Sequence, residues 1–261
     1  MTFISSSSHL NFDGAHERGN EHATEQIYDM LLKLHQTLSE RARQYDWDLH
    51  PHPKKSSLIS RSSATTSTTQ ANVLTLSYFR SAHQAQLVEN LMHIDTANCP
   101  DSGEPYRHPV LELRFGADYF AIELVLSPFA RWDQQNLIGK LELKRHRATL
   151  RQLISNMDSD YRFGFWEGTD LSDMHLTTWE LSHGRVLDEW MNTFAEGQDW
   201  LRFGMWYDVS SEEFTLENML AEAPRSIADL YGIYDFMLWT SNNNFQTFYD
   251  KREKALRRAY A

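Results

Sequence analysis

A single cysteine, Cys99, is all the thiol this 261-residue chain contains, so no internal disulfide can brace it and a reducing compartment suits it. No apolar run approaches the roughly 18 residues of a membrane span. The stretch Met1 to Leu10 lacks both a basic start and an apolar core, so it does not read as a secretory signal, and the cytoplasm is the expected location. Basic charge is short too. The 25 Lys and Arg against 36 Asp and Glu leave a net −11, and an acidic chain repels phosphate backbones, which argues against nucleic acid as a partner. Glycine numbers 11 and is spread along the chain. No phosphate-cradling loop, dinucleotide fingerprint or nucleophile elbow is spelled out, so no cofactor is implied.

Aromatic residues, by contrast, are plentiful at 13%, and a 41% hydrophobic, 23% charged composition belongs to a globular chain with a sizeable core. Residues 1–20 carry no period and read as a disordered tail before one α+β domain over 21–261. Ile27, Leu31, Leu34 and Leu38 recur at helical spacing and predict a helix over 22–44. The Ser/Thr-rich segment 56–70 reads as a loop, with an edge strand as the alternative because Thr is β-branched. Val73 to Phe79 alternates as a strand, and a short helix follows from Ala82 to Met92. Val110–Phe115 and Tyr119–Leu126 flank Gly116-Ala117-Asp118 as a hairpin.

Beyond the hairpin, a long helical stretch is expected from Asp133 to Met157. Strands follow at Tyr161–Trp166 and Met174–Leu181, a helix at Arg185–Glu196 and a strand at Trp200–Val209. Pro224 suits the first position of a C-terminal helical region over 224–259, which Asn242, Asn243 and Asn244 cap or break. Mixed hairpins and helix-to-strand steps predict an α+β fold, a mainly antiparallel sheet backed by amphipathic helices.

The tripeptide Arg-Phe-Gly occurs three times, at Arg114, Arg162 and Arg202. The first copy runs into the hairpin turn. The other two continue to Trp166 and Trp206, and each follows a helical stretch, so 136–168 and 184–209 read as a diverged internal duplication of a helix–strand unit. Strand alternation puts Phe163, Phe165, Phe203 and Met205 on a core face, and Arg162, Gly164, Trp166, Arg202, Gly204 and Trp206 on the other. A glycine gap between Arg and Trp leaves room for a ligand against the backbone. The plainer reading is that Trp fills the gap and Arg packs on its ring as a cation–π pair.

The candidate binding residues are therefore Arg162, Trp166, Arg202 and Trp206, with Trp179 from the intervening strand. They would hold a partner protein or a small anionic or aromatic ligand, guanidinium against carboxylate and indole against apolar surface. Two competing readings stand beside this binding module. Glu142-Leu143-Lys144 matches the tail of a Mg²⁺-dependent nuclease pattern, with Asp133 or Glu123 as second carboxylate, if Glu142 and Lys144 share a strand face. A structural homo-oligomer is the other. Asp170, Asp173, His175 and His183 are potential metal ligands without a metal signature, and turn formers explain them as well.

Overall fold

The computed structural model describes residues 17–51, 58–65, 70–91, 104–168, 170–211 and 214–245. Of the tail expected over 1–20, residues 1–16 lie outside the described residues and 17–20 instead open the first helix; the helical continuation after Phe245 also lies outside them. Helix α1 (Glu17–Gln44) is followed by strands β1 (His50–Pro51), β2 (Ile59–Thr65) and β3 (Gln70–Phe79), then helix α2 (Ala82–Leu91). A 3₁₀ turn, Glu104–Arg107, leads into the hairpin β4 (Val110–Phe115) and β5 (Tyr119–Leu126). Then come α3 (Arg131–Leu141), α4 (Lys144–Ser155), β6 (Arg162–Gly164), β7 (His175–Thr177), α5 (Thr178–Leu181), α6 (Val186–Met191), β8 (Leu201–Asp208) and α7 (Leu216–Met237).

The strands form one sheet in the order β1-β3-β4-β5-β8-β6-β7, with β2 also on β3, and every pairing is antiparallel. This is the expected α+β architecture. Period-two alternation gives the sheet a strongly apolar face: Leu74, Leu76, Leu111, Leu113, Phe120, Ile122, Leu124, Leu201 and Phe203 all enter the main core. Helix α7 packs on β4, β5 and β8, and α1 packs on α7 and β3. The stripe Ile27, Leu31, Leu34 and Leu38 is buried as the spacing requires.

Several elements differ from the sequence reading. The segment expected as a loop over 56–70 contains β2, which pairs with β3 residue for residue from Ile59↔Leu76 to Thr65↔Gln70; only Ile59 and Thr65 of its seven residues are β-branched, so pairing with β3 rather than intrinsic propensity makes it a strand. The long helix breaks at Leu143, whose backbone is extended, and the Arg147 guanidinium caps the first half through Nε and Nη2 on the Leu141 carbonyl (2.9 and 2.7 Å). Helix α7 starts well before Pro224, because the Thr215 hydroxyl accepts from Asn218 N (3.2 Å) and makes the cap. The strand expected over 174–181 stops at Thr177, where a reciprocal capping box with Glu180 turns the chain into α5.

The two later Arg-Phe-Gly copies are neighbours. Strands β6 and β8 pair antiparallel with Arg162↔Gly204, Phe163↔Phe203 and Gly164↔Arg202, a local two-fold centred on rings 5.1 Å apart. The helices ahead of them differ, α3 and α4 with 11 and 12 residues before β6 against the six-residue α6 before β8.

Candidate functional site

The face of the sheet opposite the apolar core is polar and yet buried. The register places Ser77, Glu112, Glu123, Gly204, Arg162 and Thr177 in one row across six strands. The next row on one side runs Thr75, Arg114, Ala121, Trp206, and on the other Val125, Arg202, Gly164, His175. Glu112, Arg114, Glu123 and Arg202 are each no more than 2% exposed.

Glu123 is the centre of this cluster. Its Oε2 accepts from Arg114 Nη2 and from Arg202 Nη1 (2.9 Å), and its Oε1 accepts from the Trp206 indole N–H (2.9 Å). Two guanidiniums and an indole thus satisfy one carboxylate with charge-assisted bonds. Gly204 makes room for it: a Cβ there would meet the Ile122 carbonyl and the Glu123 side chain. Glu112 takes the Tyr106 hydroxyl (3.0 Å) and Ser77 Oγ (3.3 Å) on Oε1, while its Oε2 lies 3.6 Å from Arg114 Nη1. Burial opposes the charge on Arg114, but Glu123 and Glu112 overcome it and hold the guanidinium above its ordinary pKa. The Glu112 charge, then burial, raise the Tyr106 phenol.

Aromatic rings enclose the cations. Arg202 lies over both Trp166 and Trp200, at 5.9 and 5.8 Å from the ring centroids, and Arg114 lies over Trp206 at 5.5 Å. The expected Arg–Trp pairing therefore occurs between copies for Arg114 and Arg202, which meet Trp206 and Trp166, and not for Arg162.

The five predicted residues divide. Arg202 and Trp166 are buried, with Arg202 Nε also on the Trp166 carbonyl (3.3 Å). Trp206 is half-buried with its N–H committed to Glu123. Arg162 is half-buried and makes no side-chain hydrogen bond or ion pair among the described residues. Trp179 is not on a strand at all; it is the second residue of α5, 61% exposed, with its ring against His183 at 4.4 Å. Arg114, set aside as a turn residue, belongs to the cluster as fully as Arg202. Glu112 and Glu123 were not foreseen as its partners, although their alternation with Leu111, Leu113, Ile122 and Leu124 places both carboxylates on the face of Arg114.

The nuclease geometry is absent. Leu137 to Leu141 is helical, Glu142 is the C-cap of α3, and Lys144 opens α4, so Glu142 and Lys144 share no strand face. Asp133 is buried, accepting from Arg80 and from Trp239 N (2.7 Å). Among the described residues no group of three or more His, Cys, Asp or Glu is placed to hold a metal ion. His175 and His183 each direct Nδ1 at a backbone carbonyl, of Ser172 (2.5 Å) and Trp179 (2.6 Å).

Helix α3 holds a second buried polar group. Asn136 Nδ2 donates to the carbonyls of Met237, Leu238 and Asn243, and Lys140 Nζ donates to Phe236 O and Asn243 Oδ1 (2.6 Å). Asn243 Nδ2 in turn bonds the Asp235 and Leu238 carbonyls (2.7 and 2.9 Å). These contacts close the C-terminal end of α7, so the Asn run serves as a cap. Burial lowers the Lys140 pKa to about 8, against the pull of Asp235 and Asp133. Among the described residues no helix is long and apolar enough to cross a membrane. No protein-family model matches the chain, and no curated protein is found to be similar to it.

Proposed function

We propose that the chain is a binding or interaction protein without a catalytic step of its own, and that its contact surface is the β6–β7 end of the sheet. The observation that carries this is the exposure of two large apolar side chains at the two ends of the outermost strand, Met174 at 57% just before it and Trp179 at 61% just after it. Exposed large apolar side chains grouped at a rigid edge are typical anchors, and Trp is the richest of them. Arg162, one strand inward, has an uncommitted guanidinium that suits a carboxylate. Arg202, Trp166 and Trp206 act behind this surface, holding β8 and β6 in place. The partner is a peptide or protein segment bearing an acidic residue beside an apolar one. The cytoplasm suits such a protein, since Cys99 leaves it no internal disulfide.

A random peptide library selected against the full chain tests this. Enrichment of acidic-aromatic sequences that disappears with Trp179→Ala and Arg162→Ala supports it. Enrichment indifferent to both substitutions, or none, refutes it. Size-exclusion chromatography over a range of concentrations separates the homo-oligomer: association that Trp179→Ala abolishes makes the partner a second copy of this chain.

A further inference from the structure

A cleft of about 260 Å³ opens between α3, α4 and α6, away from the sheet face. Its wall is apolar, formed by Ile138, Leu141, Leu150, Leu187, Met191 and Phe194. Its polar lining is Glu142, Arg147, Asp188 and Asn192. We propose that this cleft binds a small hydrophobic amine, an aryl or branched alkyl group carrying one ammonium, with the ammonium on Glu142.

The charged side chains that line the cleft, Glu142, Asp188 and Arg147, sum to one negative charge, which favours a cation. Arg147 is committed, with Nε and Nη2 on the Leu141 carbonyl and Nη1 3.9 Å from Asp188. Asp188 is committed to Arg151. Glu142 is exposed and makes no side-chain hydrogen bond or ion pair among the described residues, so its carboxylate is the free charge of the site. Glu142 is also misplaced for stability. It is the C-cap of α3, where carbonyl ends gather negative potential and a carboxylate is disfavoured. The C-cap of α6, Asn192, lines the same cleft, so two helix C-termini converge there. A local choice that works against the fold is where a functional role is expected. The volume lies just below the usual range for drug-sized ligands and fits a single ring with a short chain.

The test titrates the full chain with 2-phenylethylamine, 2-phenylethanol and 3-phenylpropionate, reading amide shifts around Ile138, Leu187 and Phe194. The amine is expected to bind tightest and to shift those amides. Glu142→Gln is expected to weaken the amine about three- to fivefold, as for an exposed ion pair, and to leave the alcohol unchanged. Glu142→Lys should turn the preference to the acid. Removing a carboxylate from a helix C-terminus does not threaten the fold, so both variants are readable. Equal binding of amine and alcohol, preference of the wild type for the acid, amine shifts confined to other surfaces, or an affinity indifferent to Glu142→Gln each overturn the proposal.

Discussion

Removing Glu123 tests the buried cluster most directly. The four charges Glu112, Glu123, Arg114 and Arg202 sum to zero, and all are within 2% of full burial. Glu123→Leu deletes three hydrogen bonds and leaves one positive charge in excess among buried groups. Breaking a buried pair from one side costs about 3–5 kcal/mol, a large share of the roughly 5–15 kcal/mol that holds a folded chain. Adding Arg202→Met restores neutrality, because Glu112 remains 3.6 Å from Arg114. Met also keeps an unbranched stem between Trp166 and Trp200, and the further loss is the bond to the Trp166 carbonyl, about 1 kcal/mol. The double variant is therefore expected to be about 2 kcal/mol more stable than Glu123→Leu alone. Urea unfolding followed by circular dichroism and tryptophan fluorescence measures this. A double variant as unstable as the sum of the two single ones would show that Glu123 and Arg202 are not coupled, and would refute the account.

Burial separates the two tryptophans expected at the site: Trp166→Ala should cost about 3–5 kcal/mol and Trp179→Ala less than about 0.5 kcal/mol, and similar urea midpoint shifts would contradict their placement. Gly164→Ala would drive a Cβ into the Met174 carbonyl and part β6 from β7, destabilising by about 1–3 kcal/mol or more; a neutral effect in thermal melts would show a looser edge. Lys140 titrates near 8 when folded against an ordinary 10.5, so across that window the unfolded chain holds the extra proton and stability rises with pH, by up to about 3 kcal/mol. The raised phenols of Tyr78, Tyr161 and Tyr234 act oppositely above pH 10, because the unfolded state ionises first, so the measurement belongs between pH 8 and 9.5. Urea unfolding there should show a rise that Lys140→Met removes, and a flat wild-type profile would contradict an ammonium held in a buried site.

Alternation and helical spacing made the hairpin, α1 and the core faces of β6 and β8 legible, because each depends on residues close in sequence. What stayed hidden depends on partners far along the chain. Glu123 meets Arg202 from 79 positions away, and no local pattern announces it. Helical spacing does not mark Asp133, Gln134, Asn136 and Lys140 as buried: the end of α7 and the loop after it supply partners to Asp133, Asn136 and Lys140, while Gln134 donates to the Ser127 and Asp199 carbonyls and accepts from Gly197 N. The capping box of Thr177 and Glu180, legible in the sequence as Thr-x-x-Glu, rather than strand alternation, decides the placement of Trp179 on a helix. Arg114 precedes a turn, yet strand parity puts it on the face shared by Glu112.

The central charges also bear on how the strands choose their register. Alternation of apolar and polar residues forbids a slip of β8 against β5 by one residue, since Phe203 would then leave the core. It does not forbid a slip by two, which keeps every side chain on its own face. A slip in one direction carries Arg202 about 7 Å farther from Glu123, and in the other sets it directly opposite Glu123, in the place of the glycine that accommodates the carboxylate; either way Gly204 leaves its position beneath Glu123. The charges thus discriminate where hydrophobicity cannot, and their contribution should be larger in uniqueness than in stability. The neutral double variant Glu123→Leu with Arg202→Met is expected to remain folded while amides of β8 broaden or double in a heteronuclear correlation spectrum. A single sharp set along Leu201–Asp208 in that variant would mean that packing alone fixes the register, and that the buried cluster has some other reason to exist.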